Sequence, residues 1–175
     1  MMGSSQRAAL LLLTTLPLLT GCQTLSREQV RDFSPVELGT TLTLAKSVTV
    51  PADTTALWFR DGHPVAGRWV AAWEYTCGIH LKVARSTPYR MSSGSFRVIG
   101  TKTRIRTTGM HSFAVVTDLA LASADHPAAR KISCVRWTGY GRPGYGPRFS
   151  PVPANGLMRA FGAYIQVHLP MPPTS

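Results

Sequence analysis

The chain reads as a mainly β domain, a small antiparallel sandwich or barrel with one short C-terminal helix. Three features predict this. From Gly39 onward apolar residues recur with period two, the repeat of a strand with one buried face. Cys77 and Cys134 fall on the apolar parity of two separate strand candidates. Only after Pro153 does the apolar spacing change to four, and only briefly.

In chain order, Leu42, Leu44, Val48 and Val50 share one parity and alternate with Thr41, Thr43, Ser47 and Thr49. Residues 54–60 form the next strand candidate, and Asp61-Gly62 is the turn signal that ends it. The clearest alternation is Trp69, Ala71, Trp73, Tyr75, Cys77, Ile79, Leu81 and Val83, with Arg68, Glu74, Thr76, His80 and Lys82 between them. That run exceeds a usual strand, so Gly78 is expected to bend it. Further strands are expected over 95–106, 111–123 and 130–137. From Trp137 to Pro153 four glycines, four prolines, Tyr140, Tyr145 and Phe149 show no apolar period, which predicts a loop. Leu157 and Phe161 then share a helical face, and Gly162 is a stop. Ala163, Ile165, Val167 and Leu169 alternate with Tyr164, Gln166 and His168, as in a closing strand. A single helix through residue 168 also fits, but Gly162 and the late β-branched residues favour helix followed by strand.

The N-terminus carries an address. Arg7 precedes a mostly apolar stretch from Ala8 to Leu19, followed by small residues, the order of a secretory signal peptide. The stretch is too short to cross a bilayer as a helix, which takes about 20 residues. Its end, Leu19-Thr20-Gly21-Cys22, resembles the lipobox of bacterial lipoproteins. The resemblance implies cleavage between Gly21 and Cys22 and lipid on Cys22. Because Gln23 is not Asp, it also implies the outer membrane, on its inner leaflet and facing the periplasm. An ordinary signal peptide ending in an incidental cysteine is the alternative. Residues 1–21 are thus expected to be removed, with 22–38 a weakly ordered tether reaching about 50 Å and 39–175 a single β domain. Within the tether Ser26 and Gln29 have capping-box spacing, and only Leu25, Val30 and Phe33 could anchor a helix.

With Cys22 assigned to lipid, Cys77 and Cys134 remain as a pair in an oxidising compartment. Neither belongs to a CxxC or Cys/His metal pattern. Both are expected to point inward and to form a core-crossing disulfide that contributes about 4 kcal/mol by chain entropy. Two free buried cysteines are the alternative.

Charge is the main functional signal. The chain has 19 Lys and Arg against 8 Asp and Glu; loss of residues 1–21 removes only Arg7. No acid occurs between Glu74 and Asp118, where Lys82, Arg85, Arg90, Arg97, Lys102, Arg104 and Arg106 all lie. None follows Asp125 either, against Arg130, Lys131, Arg136, Arg142, Arg148 and Arg159. Lys102, Arg104 and Arg106 alternate along one strand and therefore share a face. Such a row is tolerated best opposite an anion or several acids. Arg142 and Arg148, interleaved with Tyr140, Tyr145 and Phe149, form a second candidate anion- or sugar-facing segment. The periplasmic address removes nucleic acid as the partner and leaves an anionic envelope polymer or lipid, or an acidic protein. A basic surface that only maintains solubility is the plain alternative.

Catalytic patterns are scarce. His63, His80, His111, His126 and His168 lack metal-ligand spacing, and neither G-x-S-x-G nor H-E-x-x-H occurs. No catalytic residue, metal or cofactor is expected, and His80 is read as a solvated histidine beside Lys82. The expected role is a non-catalytic envelope binding or structural module. An enzyme acting on cell-wall glycan or lipid ranks second, and a lysozyme-inhibitor-like protein third, because a basic inhibitor would repel basic lysozymes.

Several segments together resemble a group of small proteobacterial lipoproteins. They are Gly39-Thr40-Thr41-Leu42-Thr43-Leu44, Val50-Pro51-Ala52, Asp61-Gly62, Tyr75-Thr76-Cys77-Gly78-Ile79-His80-Leu81-Lys82-Val83, Phe96-Arg97-Val98 and Cys134-Val135-Arg136-Trp137. The likeness spans roughly residues 39–137. It implies the β fold and the envelope address, and it carries over no site. The Gly/Pro/Tyr loop near 138–153 departs from it.

Overall fold

A computed structural model describes residues 34–67, 74–109, 112–140 and 151–171. Among these residues ten strands form, in order β1 (Thr41–Leu44), β2 (Val48–Val50), β3 (Ala56–Arg60), β4 (His63–Val65), β5 (Tyr75–Leu81), β6 (Tyr89–Met91), β7 (Gly94–Gly109), β8 (Ser112–Ala122), β9 (Ala129–Tyr140) and β10 (Ile165–His168). Among the described residues one α-helix, α1 (Ala154–Phe161), precedes β10 and is followed by a 3-10 turn at Gly162–Tyr164. Eight strands make one sheet in the order β10-β1-β7-β8-β9-β5-β3-β4, and β2 pairs with β6. Every pairing is antiparallel. The sheet curls into a half-barrel, within the fold class expected.

The inner face follows the predicted parities. Leu42, Leu44, Phe59, Ile79, Phe96, Leu119 and Ile132 are buried there together with Leu157, Phe161 and Ile165. Helix α1 packs against β3, β5 and β10 and fills the concave side. The Phe161 and Tyr164 rings lie tilted against Phe59, with centroids 4.9 and 5.1 Å away. Gly162 ends the helix as predicted, with φ 56°, and its Cα side abuts Gly62 so closely that a Cβ would come within 2.6 Å of Gly62 Cα. The Gly62 N–H donates to Ala160 O at 3.0 Å, satisfying a carbonyl at the helix end.

Several expectations change on contact with the structure. Leu42 and Leu44 lie in the large sheet and Val48 and Val50 in the small one, so the chain leaves one sheet between them. Asp61-Gly62, both at positive φ, does turn the chain, but into the unpredicted strand β4. Gly78 does not bend β5. Pairing with β9 runs straight through it, and the register shifts only between His80 and Leu81. Gly78 instead leaves room for the Trp58 indole, which a Cβ would approach to 2.7 Å. The loop expected from Trp137 does not start there, because β9 continues to Tyr140; the rest of it, 141–150, lies outside the described residues. Val36, expected in the tether, is buried at 1% exposure, and its N–H donates to Val152 O at 3.1 Å. Trp69, Ala71 and Trp73, His111 and residues 1–33 lie outside the described residues.

Cys77 and Cys134 stand at disulfide distance, with sulfurs 2.09 Å apart. Both point inward as expected, yet the link does not cross the core. The two residues face each other in register on neighbouring strands β5 and β9.

Candidate functional site

The cationic row is on the outer face of the sheet, and a β-bulge puts it there. Phe96 and Val98 on β7 are buried inward, and Lys102, Arg104 and Arg106 have the same even parity. Unbroken alternation would drive all three cations into the core. The β7–β8 register shifts between Val98 and Gly100, which makes Ile99 an extra residue and reverses the parity beyond it. Thr103, on the new inward parity, meets the Thr117 hydroxyl at 3.3 Å. The Thr117 hydroxyl also accepts the Val152 N–H at 3.1 Å.

Cross-strand register then lays out the outer face in rows. One row runs Gly100, Ala120, Lys131, His80, Ala56 from β7 to β3. The next runs Lys102, Asp118, Ser133, Gly78, Trp58. The third begins Arg104, Val116, Val135, and the fourth Arg106, Ala114, Trp137. Trp58 packs against Ala114, Val116 and Val135 in a small outer apolar cluster. His80 is not solvated but half-buried, edge-on to the Trp58 ring at 5.2 Å.

Asp118 is the single acid among these rows, and its oxygens are engaged from within. Its Oδ2 accepts from the Arg104 guanidinium. Its Oδ1 accepts from the Ser133 hydroxyl and from Lys131 Nζ, the latter at 3.2 Å. The Asp118 side chain is 13% exposed, against 32% for Arg104 and 27% for Lys131. Burial alone would raise its pKa, but the hydrogen bonds from Ser133, Lys131 and Arg104, with the charge of Lys131, hold it below the ordinary carboxylate value. Arg104 therefore belongs to an internal ion pair more than to the free surface. Among the described residues Lys102, Arg106 and Arg130 have no ion-pair partner.

Replacing Asp118 by Asn is expected to destabilise the fold by about 2 kcal/mol, because it leaves Arg104 and Lys131 facing a neutral amide. A carboxyl with a depressed folded pKa contributes stability that is present above its unfolded pKa, about 4. That contribution fades as the pH falls through the folded value. Denaturant titrations should accordingly show the full difference between wild type and Asp118→Asn at neutral pH and a shrinking one in acid. A difference independent of pH would show that the carboxylate charge is not what holds this cluster.

Beside Asp118 the surface forms a bowl of about 300 Å³. Gly100 and Ala120 are its low floor, and Lys102, Arg130 and Lys131 rise around it. In the sequence Arg130 and Lys131 count only among the basic residues, and Ser133 not at all, because it takes the β7–β8 and β8–β9 registers together to bring them beside Lys102. The alternation Lys131, Ser133, Val135 opposite the lone acid of β8 was the available trace.

A second hollow, of about 450 Å³, lies where Tyr75 meets the start of α1, lined also by Arg136, Asn155 and Gly156. It is internally balanced. Gly156 packs on the Tyr75 ring, Arg136 lies 5.2 Å from that ring's centroid, and Arg159 pairs with Asp61 at 3.5 Å and Glu74 at 3.6 Å. Burial raises the Tyr75 pKa, partly countered by Arg136.

The other sequence candidates, Cys22, Arg142 and Arg148, lie outside the described residues. Among the described residues no three His, Cys, Asp or Glu side chains group so as to hold a metal ion, and no helix is long and apolar enough to cross a membrane. No protein family, curated protein or solved structure matches the chain.

Proposed function

We propose that this chain is an envelope lipoprotein, anchored through Cys22 in the inner leaflet of the outer membrane, whose β body binds an anionic envelope component without catalysis. The lipobox-like run Leu19-Thr20-Gly21-Cys22 supports the address. One observation carries the binding reading. Cations from β7 and β9 converge on one face, and the only carboxylate beside them among the described residues, Asp118, is already held by Arg104, Lys131 and Ser133. The face therefore keeps an uncompensated positive field, which a fixed anion would relieve.

Photo-crosslinking in intact cells tests this reading. A benzoylphenylalanine replacing Arg106, on the cationic face, is expected to give adducts with an anionic component of the membrane fraction. The same group replacing exposed Thr49, on β2, is expected to give few. Palmitate label on the chain should vanish with Cys22→Ala. Equal adduct yields from the two positions would overturn the binding reading, and an unlabelled chain recovered from the cytosol with Met1 intact would overturn the address.

A further inference from the structure

The bowl on the outer face has the dimensions and charge of a site for one small anion, and the fold builds it with two irregularities. In β7 the extra residue Ile99 turns Gly100 and Lys102 outward. In β9 the register with β5 shifts between His80 and Leu81, which leaves Arg130 as an extra residue beside Lys131. Bulges re-aim side chains, and these two flank the same row of the sheet, Gly100-Ala120-Lys131. The small residues at the centre of that row keep the floor open: a Cβ on Gly100 would already touch Ala120 Cβ at 3.4 Å.

Resting on the anion-binding reading above, the geometry points to a phosphate monoester as the ligand class, seated on Gly100 and Ala120 and held by Lys102, Arg130 and Lys131. The charge decides between phosphate and carboxylate. Lys102 and Arg130 have no ion-pair partner among the described residues, and Lys131 gives one bond to Asp118 Oδ1. An ammonium has three donors, so Lys131 keeps others for a ligand. Asp118 on the rim is covered by its own partners. A carboxylate brings a single charge and two oxygens to this group. A phosphate monoester brings about −1.5 to −2 and three acceptor oxygens, one for each cation. Lysine suits it as a point charge, and arginine as a fork.

The full chain in neutral detergent provides the test, with amide shifts of Gly100, Ala120 and Lys131 as the reporter. Probes are inorganic phosphate, dodecyl phosphate in neutral micelles, and acetate at matched ionic strength. Both phosphates are expected to bind at least about tenfold more tightly than acetate, which corresponds to 1.4 kcal/mol. Tighter binding of dodecyl phosphate identifies a lipid-borne group, and equal binding a soluble one. Gly100→Leu, which fills the floor without altering charge, is expected to abolish the difference between phosphate and acetate. Lys102→Gln, on an exposed side chain, is expected to weaken phosphate at least about tenfold with the spectrum otherwise unchanged. Adhesion of Gly100→Leu to a polycarboxylate such as polygalacturonate is expected to match wild type. If wild type adheres to polygalacturonate but binds phosphate no better than acetate, or if both variants bind phosphate like wild type, the bowl is not a phosphate site and the broader reading stands. If wild type adheres to no polyanion, both fall.

Discussion

Replacing Cys77 and Cys134 together by alanine is expected to destabilise the fold by about 4 kcal/mol, the chain-entropy value for a loop of this length. The residues are 57 apart in sequence, and their link joins β5 to β9. Between them run β6, β7 and β8, so the covalent loop that the bridge closes contains the long β7–β8 hairpin that carries Lys102, Arg104 and Arg106. Against a typical net stability of about 5–15 kcal/mol the loss is large. Guanidinium titrations should show a lower midpoint for the double alanine variant, and an equal drop for wild type after reduction. The outer face should retain the anion affinity proposed for it wherever the variant is still folded, since backbone pairing and the Asp118 cluster set its register. An unchanged midpoint with both thiols titratable in the native chain would contradict the bridge.

Parity was enough for Leu42, Ile79, Ile132 and the inward cysteines, because burial of one sheet face imposes period two. Leu157, Phe161 and Gly162 revealed the helix and its end, because a four-residue step and a glycine at positive φ are local properties. Register was not legible. The sequence placed both cysteines inward but not opposite one another, so adjacent strands were mistaken for a core crossing. Gly78 read as a bend because what it accommodates, Trp58, comes from another strand. The shape of the site lay between these cases. Phe96 and Val98 buried on the parity of three cations is a contradiction that only an inserted residue resolves, and Ile99 supplies it. That conflict was visible in the chain and predicts a bulge somewhere between residues 98 and 102. Asp118 and Lys131 came into the site only through pairing across β7, β8 and β9. The Arg142 and Arg148 segment lies outside the described residues.

The second large effect concerns binding. The triple reversal Lys102→Glu, Arg106→Glu, Arg130→Glu spares Arg104 and with it the Asp118 ion pair. Each cation near an anionic surface contributes about 1 kcal/mol. Losing three is expected to weaken association about 100-fold, with repulsion from the new carboxylates adding to the loss. Each reversal removes two charges from a formal net of +11, so the variant stays basic overall. The matched control reverses Lys46, Arg85 and Arg90, which are exposed elsewhere, with the same change in net charge.

Retention of the full chain on sedimented envelope material in neutral detergent, read for these two variants, separates one cationic face from overall basicity. At about 0.01 M salt, where the Debye length is about 30 Å, wild type and control should be retained while the outer-face variant is lost. At about 1 M salt, with screening near 3 Å, all three should be released. Equal retention of the two variants at low salt would show that bulk basicity, and no particular face, holds the protein to the envelope, and would contradict the account.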